Sequence, residues 1–407
     1  MHITNLLAGE WCGFDSNNRE VSPFRVSFKD MKSHKTIGIL GGGQLGRMLT
    51  LAAVPLGFDV VVLHPHAESP ASLVGAQEIV ADFYNEAAIK ELAERSDYLT
   101  IEIEHVSAQA LELIEKTGKP VNPAPKDIRI IQDKYTQKEF LQSNGIKVAS
   151  FTKIDTPETA IQALKNYGGK MLLKTRYGAY DGRGNKVIGS EDELSKAIEF
   201  FGSAELYAEQ FIPFEKELAV MVARDFDGTI TTYPVVETIH QRNICVEVIA
   251  PAQVDEAVAR LAESTVRAIA NLMHGAGVFG IELFLTKEGN ILVNEIAPRV
   301  HNSGHYTIEA CRTSQFEQHI RAISGLHLGT PDLVVPAAVM VNILGEREGP
   351  VELSGVNKVL AHPATSLHIY GKSPTKIDRK MGHITTTGVD VQIVKDHAEQ
   401  ARKELTI

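Results

Sequence analysis

The sequence predicts a multidomain protein that combines an α/β domain with α+β domains. Three features lead to this expectation. A strand–turn–helix–strand pattern spans residues 36–64, a glycine-studded hairpin spans residues 171–189, and a hairpin with an acid on each strand spans residues 277–297. Strands that alternate with helices favour a parallel sheet, and strand pairs closed by short turns favour antiparallel sheets.

The composition is that of an ordinary globular chain. Of 407 residues, 43% are hydrophobic and 23% charged, which suits two or three domains. The net charge of −10 argues against nucleic acid as a partner but allows local basic pockets for small anions. Cys12, Cys245 and Cys311 lie far apart, which argues against a disulfide framework or a zinc site and for a reducing compartment. No apolar run reaches the ~20 residues of a membrane span, so we expect a cytoplasmic protein with no membrane partner.

Residues 1–34 show no clear periodicity and contain the single tryptophan, Trp11. They lack the basic start and apolar core of a secretory signal. Met31 stands just before the first predicted strand. This stretch is therefore either an extension outside the core or the product of an upstream start codon.

The first strand leads into a glycine-rich turn and a helix. Gly41, Gly43 and Gly46 fill a G-x-G-x-x-G pattern. Such a turn lets a ligand approach bare backbone, and the helix N-terminus favours an anion. An NAD protein usually has an acid at the end of the second strand, whereas this strand ends at His64. NAD, another phosphate-bearing ligand, and tight packing without a ligand all remain open, and Gln44 would face whatever binds.

A later strand, DYLTIEIEHV, is predicted to place Glu102 and Glu104 on one face because strand side chains alternate. Glu104 would lie at the carboxyl end of the strand, where open α/β sheets bind ligands. A solvated strand face is the alternative. The following residues 121–146 predict a proline-containing loop and one amphipathic helix, a natural domain junction.

The second block opens on an apolar strand that ends in Lys174. Its turn carries three glycines together with Arg176 and Arg183, and it returns into the strand NKVIG. Backbone N–H groups and cations in a flexible hairpin suit a polyphosphate, although an exposed hairpin with solvated charges is the alternative. The glycines are not followed by the GK[ST] of a Walker A loop.

Further strands and a long helix follow. The segments KELAVMVAR and GTITTYPVVE are predicted as two strands joined by the turn DFDG, and VDEAVARLAESTVRAIANLM as a helix.

The strands GIELFLT and ILVNEIA flank the loop KEGN. If that loop closes a regular hairpin, Thr286 faces Ile291 and Glu282 lies opposite Glu295. Facing carboxylates repel each other, so the pair is predicted to bind a divalent cation such as Mg²⁺, which would offset the repulsion. Asn294 could add an oxygen only if the strand bulges. Chance pairing of surface acids is the alternative.

Together these features resemble the ATP-grasp superfamily and, within it, the 5-(carboxyamino)imidazole ribonucleotide synthase family of purine biosynthesis. The matching stretches are GILGGGQLGRM, KTRYGAYDGRGN, EQFIPFEKEL, FGIELF, NEIAPRVHNSGHYT and HIYGKSPTKIDRKMGH. The resemblance implies an ATP-grasp architecture after the extension. Its parts are a Rossmann-like domain at 35–135, an ATP-grasp domain at 136–330 with a lid at about 148–212, and a small β-rich C-terminal domain at 331–407.

The resemblance also implies a reaction. ATP would phosphorylate bicarbonate to carboxyphosphate, and the amine of aminoimidazole ribonucleotide would then be carboxylated with release of ADP and phosphate. Such chemistry needs positioning and charge neutralisation. The implied cofactors are ATP and Mg²⁺, with Mn²⁺ as an alternative. The implied partners are the small-molecule substrates and a second copy of the chain in a homodimer.

The resemblance assigns one set of residues to ATP and its metal. The ATP-binding members are Lys134, Lys174, Ala179, Tyr180, Asp181, Gly182, Arg183, Gly184, Asn185, Glu209, Gln210, Phe211, Ile212, Glu217, His240, Asn294 and Glu295. The metal ligands are Glu282, Glu295 and Asn294. Lys134 stands where the family usually has arginine, so it keeps the charge but loses the fork geometry. Tyr177 and Ala179 replace residues that are commonly Arg and Gly.

A second set is assigned to the ribonucleotide. Its members are Gln44, Glu104, Tyr180, Arg183, Asn302, Ser303, Lys372 and Arg379. Asp181, Arg299 and His301 are the catalytic candidates, and Asp181 or His301 could handle the amine proton. By the resemblance, the glycine-rich turn meets the ribonucleotide and not NAD.

Two kinds of rival function remain. Another ATP-grasp ligase, such as a formate-dependent glycinamide ribonucleotide transformylase or a biotin carboxylase, would share the fold. An NAD-dependent oxidoreductase would use the first domain in a different way. Gln44 in the turn and the segment HNSGH favour carboxylation of aminoimidazole ribonucleotide.

Overall fold

The computed structural model describes residues 34–178 and 184–407, and these residues form three β-sheets with helices packed against them. The strands are β1 Thr36–Leu40, β2 Asp59–His64, β3 Gln77–Val80, β4 Tyr98–Ile101, β5 Phe151–Ile154, β6 Met171–Thr175, β7 Asn185–Ile188, β8 Leu206–Gln210, β9 Phe214–Arg224, β10 Ile230–Thr232, β11 Val236–Gln241, β12 Ile244–Ala250, β13 Gly277–Thr286, β14 Ile291–Ala297, β15 Ala337–Leu344, β16 Thr365–Ile369 and β17 Lys380–Gly388.

Helices lie between most of these strands. They are α1 Gln44–Ala53, α2 Glu86–Glu94, α3 Ala108–Glu115, α4 Pro125–Gln132, α5 Lys134–Ser143, α6 Pro157–Asn166, α7 Glu191–Phe201, α8 Glu256–Leu272, α9 Thr307–Ala310, α10 Gln315–Ser324, α11 Val356–Val359 and α12 Val391–Lys403. Short 3-10 helices span Val54–Leu56, Ser72–Val74 and Asn302–Gly304. Within 34–178 and 184–407, no helix has the length and apolar character needed to cross a membrane.

The first sheet has the order β3-β2-β1-β4, and its strands are parallel. This confirms the α/β unit expected from the alternation of strands and helices. Strand β4 stops at Ile101, so the prediction that Glu102 and Glu104 share a strand face is wrong. Both residues lie in the loop after the strand and are nevertheless buried.

The second sheet has the order β5-β8-β6-β7 and is covered by α6 and α7. Its strands β6 and β7 form the predicted hairpin, in which Lys174 pairs with Asn185. The hairpin therefore presents Lys174 at the end of β6. Residues 179–183 of its turn lie outside the described residues.

The third sheet has nine strands and continues into the C-terminal part of the chain. Its main path is β14-β13-β9-β11-β12-β15-β17-β16, and β10 pairs with β9. Strand β15 joins it by antiparallel pairing with β12, as in Glu247 opposite Val341. The predicted strand at 228–237 is instead split in two, because β10 ends at Thr232 and β11 begins at Val236, and both pair with β9. The domain boundaries stay a prediction.

The single amphipathic helix predicted near residue 130 is also split. Asp133 separates α4 from α5 and caps α5, since its carboxylate accepts hydrogen bonds from the backbone N–H groups of Tyr135 and Thr136. A capping carboxylate satisfies N–H groups that a helix start leaves without partners. Lys134 thereby becomes the first residue of a new helix.

The β13–β14 hairpin has a different register from the regular one. Leu285, and not Thr286, faces Ile291, so that prediction is wrong. A bulge at Asn294 then shifts the pairing by one residue and returns Glu282 to the position opposite Glu295. The predicted facing acids are thus present, and the bulge is the feature that Asn294 was expected to need.

Candidate active site

The facing acids lie in a highly charged place and are only partly buried, since the side chains of Glu282 and Glu295 are 22% and 39% exposed. Burial and the nearby charge of Glu295 raise the pKa of Glu282 to about 7. The amide nitrogen of Asn294 donates to Glu282 Oε2 at 3.2 Å, and a rotated amide would present its oxygen instead. Two carboxylates and an amide oxygen form a hard-oxygen donor set of the kind that Mg²⁺ prefers, and the raised pKa reflects the cost of holding both charges without a cation.

Lys134 compensates one of the two carboxylates. Its Nζ lies 3.1 Å from Glu295 Oε2. Burial opposes ionisation of both groups, but the pairing raises the pKa of Lys134 and lowers that of Glu295. Lysine at this position therefore supplies a single point charge beside the acid pair.

A second charged group lies beneath the hairpin strand β6. Glu209 on β8 accepts from Lys174 Nζ at 2.9 Å and from Lys138 Nζ at 3.1 Å. Glu209 is 1% exposed, so a bare carboxylate there would be costly. Burial raises its pKa, but the two ammonium groups outweigh this and lower it. Glu209 thus orients Lys174, and its carboxylate is engaged by two lysines inside the chain.

Arg176 does not serve as a free cation for polyphosphate. Its guanidinium binds the carboxylate of Asp133 and also Glu205 Oε2 at 2.8 Å. Tyr177 donates to Asp133 Oδ2 at 2.9 Å. These contacts tie the start of the hairpin turn to the N-terminus of α5 and so fix the base of the turn.

The glycine-rich turn is closed by a carboxylate of the same chain. Glu102 accepts hydrogen bonds from the backbone N–H groups of Gly43 and Gly46. Burial raises the pKa of Glu102, and the two donors oppose that rise. Two of the backbone donors that were expected to meet a ligand anion are therefore used inside the chain. The contact of this turn with a ribonucleotide stays a prediction.

Arg299 and Glu104 form an ion pair between two cavities. Arg299 Nε donates to Glu104 Oε2 at 2.6 Å. Burial alone would raise the pKa of Glu104, but the guanidinium holds it well below its usual range. Both side chains are less than a fifth exposed and line both cavities.

The smaller cavity has a volume of about 90 Å³. Its lining residues are Glu104, Lys134, Gln137, Lys138, Lys174, Thr175, Asn185, Tyr207, Asn294, Glu295 and Arg299. We call it the acid–lysine cavity. Most of its residues come from α5, the sheet β5-β8-β6-β7 and β14, so it lies where two sheets meet, and Glu104 and Arg299 are added by loops.

The larger cavity has a volume of about 690 Å³. Its lining residues are Gln44, Leu45, His66, Glu102, Ile103, Glu104, His105, Arg299, His301, Asn302, Lys372, Ser373, Pro374, Lys376, Ile377, Asp378, Arg379 and Lys380. We call it the cationic cavity, because the loop from Lys372 to Lys380 brings four cations to it. Such a cluster suits a phosphomonoester.

The segment after β14 is held by internal hydrogen bonds. Asn302 and Asn342 exchange two amide hydrogen bonds at 3.0 and 2.7 Å. His301 Nδ1 lies 2.9 Å from Ser303 Oγ, and its Nε2 lies 3.6 Å from Glu282 Oε1. Burial, and secondarily the charge of Arg299, lower the pKa of His301 to about 3. His301 is therefore an uncharged hydrogen-bonding group at neutral pH.

Other predicted ATP residues lie outside both cavities. Glu217 forms an ion pair with His240, and although burial lowers the pKa of His240, this contact raises it overall. Gln210 ends β8, and Phe211 and Ile212 form the short connection to β9. Lys170 Nζ stands 3.7 Å from the centre of the Phe211 ring.

Of the twenty-one predicted site residues that the structure describes, twelve line the two adjoining cavities, and Glu282 lines neither. Ser303 is buried behind His301, and Gly184 precedes β7. Predictions for Ala179, Tyr180, Asp181, Gly182 and Arg183 fall outside the described residues. Sequence reasoning missed the roles of Glu102, Lys138 and Asp133. The alternating acids around Glu102 were the one available signal, and they were interpreted as a strand face.

The chain matches models of three known protein domains. An ATP-grasp domain model matches residues 139–316, a ribonucleotide synthetase preATP-grasp domain model matches 34–132, and a phosphoribosylaminoimidazole carboxylase C-terminal domain model matches 338–397. The fold is therefore that of an ATP-grasp protein.

Individual relatives show which ATP-grasp family the chain belongs to. An N5-carboxyaminoimidazole ribonucleotide synthase of Brucella melitensis is 39% identical over 87% of this chain and 97% of its own. The crystal structure of such a synthetase from Thermotoga maritima is 45% identical, covers 91% of this chain and 99% of its own, and has a TM-score of 0.83. The chain belongs to the N5-carboxyaminoimidazole ribonucleotide synthase family.

One further relative is longer than this chain, and one solved structure of a relative contains ligands. A phosphoribosylaminoimidazole carboxylase of Ogataea methanolica is 46% identical over 86% of this chain, which spans 66% of that relative's length. An Aspergillus clavatus synthase was solved in complex with ADP and 5-aminoimidazole ribonucleotide. It is 37% identical with a TM-score of 0.84, and the match covers 91% of this chain and 98% of that one.

Proposed function

We propose that this protein carboxylates 5-aminoimidazole ribonucleotide with ATP and bicarbonate to give 5-carboxyaminoimidazole ribonucleotide, ADP and phosphate, a step of purine biosynthesis. The observation that carries the proposal is the meeting of two cavities at Arg299 and Glu104. One cavity has the acids and lysines that suit a polyphosphate with its cation, and the other has the cations that suit a phosphomonoester. The Aspergillus clavatus complex with ADP and the ribonucleotide supports this pairing of ligands.

The reaction needs two bond-forming steps. The γ-phosphoryl group of ATP passes to an oxygen of bicarbonate, which gives carboxyphosphate and ADP. The amine of the ribonucleotide then attacks the carboxyl carbon, the bond from that carbon to the phosphate oxygen breaks, and the amine loses a proton. Lys174 lies where it can meet phosphate charge, and closure of the loop at residues 179–185 would keep water from the intermediate.

We propose the following residues as the ligands of the metal ion and of ATP. Glu282 and Glu295, with Asn294, would hold Mg²⁺, or Mn²⁺ in its place. The bound cation would neutralise charge on the ATP phosphates. Backbone groups from Glu209 to Ile212 would hold adenine, and Glu217 beside His240 would bind the ribose.

The ribonucleotide is assigned to the cationic cavity. Lys372 and Arg379 would bind its phosphate, while Gln44 lines the same cavity at the start of α1. Arg299 lies between this ligand and the acid–lysine cavity and is our candidate for the residue that meets both reacting partners. His301 and Asp181 remain the candidates for the amine proton.

We further propose a homodimer in the cytoplasm. The helix α1 and the two short helices near it present Leu51, Val54 and Leu73, which are 48%, 55% and 56% exposed. Exposed apolar side chains gathered in one region suit an interface with a second copy. Cys245 and Cys311 are buried free thiols, which suits a reducing compartment.

A coupled assay tests the reaction. ADP formation should require bicarbonate and should rise when aminoimidazole ribonucleotide is added, and the Glu295→Ala variant should lose this activity. Parallel reactions with glycinamide ribonucleotide and formate, and with biotin, distinguish the other ATP-grasp ligases. Turnover that is the same with and without aminoimidazole ribonucleotide would show that the substrate assignment is wrong.

A further inference from the structure

We propose that Glu309, His368 and His383 form a binding site for a transition-metal ion, best suited to Zn²⁺ and separate from the magnesium acids. One potential ligand atom from each of the three residues lies within 4.8 Å of the other two. The cysteine spacing predicted no zinc site, but this cluster uses imidazole and carboxylate ligands only. Two histidines and one carboxylate are a known ligand set of zinc, which binds its ligands at about 2.0–2.2 Å.

Three different elements bring the ligands together. His368 on β16 and His383 on β17 are directly opposite each other in an antiparallel pair, and their rings stack with centres 4.4 Å apart. Glu309 comes from α9, and its Oε1 lies 2.5 Å from His368 Nε2. The side chains of Glu309 and His368 are 16% and 28% exposed, so an ion can reach the group from that side.

His383 provides the observation that points to a ligand. Its side chain is fully buried, and its Nε2 has no hydrogen-bond partner among the described residues. Its Nδ1 lies 2.8 Å from the hydroxyl of Tyr370. If Nδ1 carries the proton and donates to that hydroxyl, Nε2 keeps a free lone pair. This is the arrangement in which a second group fixes the tautomer of a metal-binding histidine.

Glu309 adds a second uncommitted atom. Its Oε2 is buried and has no partner in the described part of the chain. A metal ion would satisfy this oxygen and His383 Nε2 at once, and His368 would turn its Nε2 from the carboxylate to the ion. Water would complete a tetrahedral site. Two nitrogen ligands favour zinc over magnesium, which prefers oxygen alone.

The position of the cluster gives it a structural consequence. His368 precedes, and His383 follows, the loop that carries Lys372 and Arg379. Glu309 follows the segment that carries Arg299 and His301. An ion bound by all three residues would hold the loop that carries Lys372 and Arg379 against the segment that carries Arg299 and His301.

Co²⁺ serves as a spectroscopic probe of the full-length, tag-free protein after treatment with a chelator. Excess Mg²⁺ and ADP are kept present so that the acids at Glu282 and Glu295 are occupied. We expect one Co²⁺ per chain with visible absorption bands of nitrogen coordination, and we expect Zn²⁺ to displace it. His368→Gln and Glu309→Gln should each weaken binding at least about tenfold, and Tyr370→Phe about 10- to 100-fold.

His397→Gln is the matched control, since His397 is an exposed histidine on α12 and should bind Co²⁺ like the wild type. Circular dichroism confirms folding, and the part-exposed His368 variant decides the outcome if Glu309→Gln does not fold. A wild type without the bands, or equal binding by the wild type and the His368 variant, would overturn the proposal. Either result leaves the carboxylation assay unaffected, so the two proposals fail separately.

Discussion

The acid–lysine cavity and the cationic cavity adjoin each other and share the Arg299–Glu104 ion pair, but they differ in how their other cations are held. In the first, charged side chains already neutralise one another, as Lys134 does for Glu295 and Lys174 does for Glu209. In the second, the guanidinium of Arg379 donates to the backbone carbonyl of Pro374, which is a neutral acceptor. A ligand of the first cavity must therefore exchange existing ion pairs, while a ligand of the second meets a positive charge that is still available.

The two cavities also differ in burial. The acid–lysine cavity is formed largely by strands and the start of a helix, and its Lys138 and the adjacent Glu209 are almost completely buried. The cationic cavity is closed by a loop that includes Lys376 and Ile377, both exposed. We expect chemistry to depend on the first cavity and affinity for the ribonucleotide to depend on the second.

The largest effect should come from Lys174→Met. Loss of one preorganised charge at a phosphoryl-transfer site costs about 10²–10³-fold in kcat. Folding should be retained, because Lys138 still pairs with the buried Glu209. Steady-state kinetics should show a lower kcat with little change in the KM for the ribonucleotide. Lys196→Met, on the exposed face of α7, is the control and should behave like the wild type. A normal kcat in the Lys174 variant would mean that this lysine does not act on the phosphates.

A smaller and different effect should follow from Arg379→Gln. A hydrogen bond to a charged group contributes about 1.5–3 kcal/mol, so the KM for aminoimidazole ribonucleotide should rise about 10- to 100-fold. The KM for ATP should not change, since Arg379 lines only the cationic cavity. Lys403→Gln, an exposed cation on α12, controls for the loss of net charge. If both KM values rise together, the two cavities do not divide the ligands as proposed.

The sequence predicted the parts of the molecule that depend on local patterns. The parallel sheet, the β6–β7 hairpin and the helix α8 follow from periodicity and turn residues, and Glu282 and Glu295 do face each other. That last success depended on a cancellation, since the turn was misjudged by one residue and the bulge at Asn294 restored the pairing. A bulge depends on neighbouring strands, so a single hairpin sequence does not reveal it.

Two of the failures involve contacts that are distant in sequence. Glu102 fills the glycine-rich turn across more than fifty residues of chain, and Asp133 ends α4 and caps α5 while it also binds Arg176, which follows β6. Each interaction satisfies a buried or terminal polar group. The secondary-structure propensities of neighbouring residues do not reveal which distant carboxylate will satisfy such a group.

The smallest predicted effect is a pH dependence of Mg²⁺ affinity. It belongs to the acid pair of Glu282 and Glu295 and not to the loop from Lys372 to Lys380. The pKa of Glu282 is raised to about 7 by burial and by Glu295, so a proton competes with a cation for this carboxylate. The affinity of the nucleotide-free protein for Mg²⁺ should therefore increase by about tenfold from about pH 6 to about pH 8, with release of a proton. Calorimetry in two buffers of different ionisation enthalpy measures both quantities. Glu288→Gln, at an exposed acid in the same hairpin, should keep this dependence and Glu282→Gln should lose it. A Mg²⁺ affinity that is flat with pH in the wild type would show that Glu282 is already ionised in the metal-free protein, with its charge balanced by His240 and Lys134.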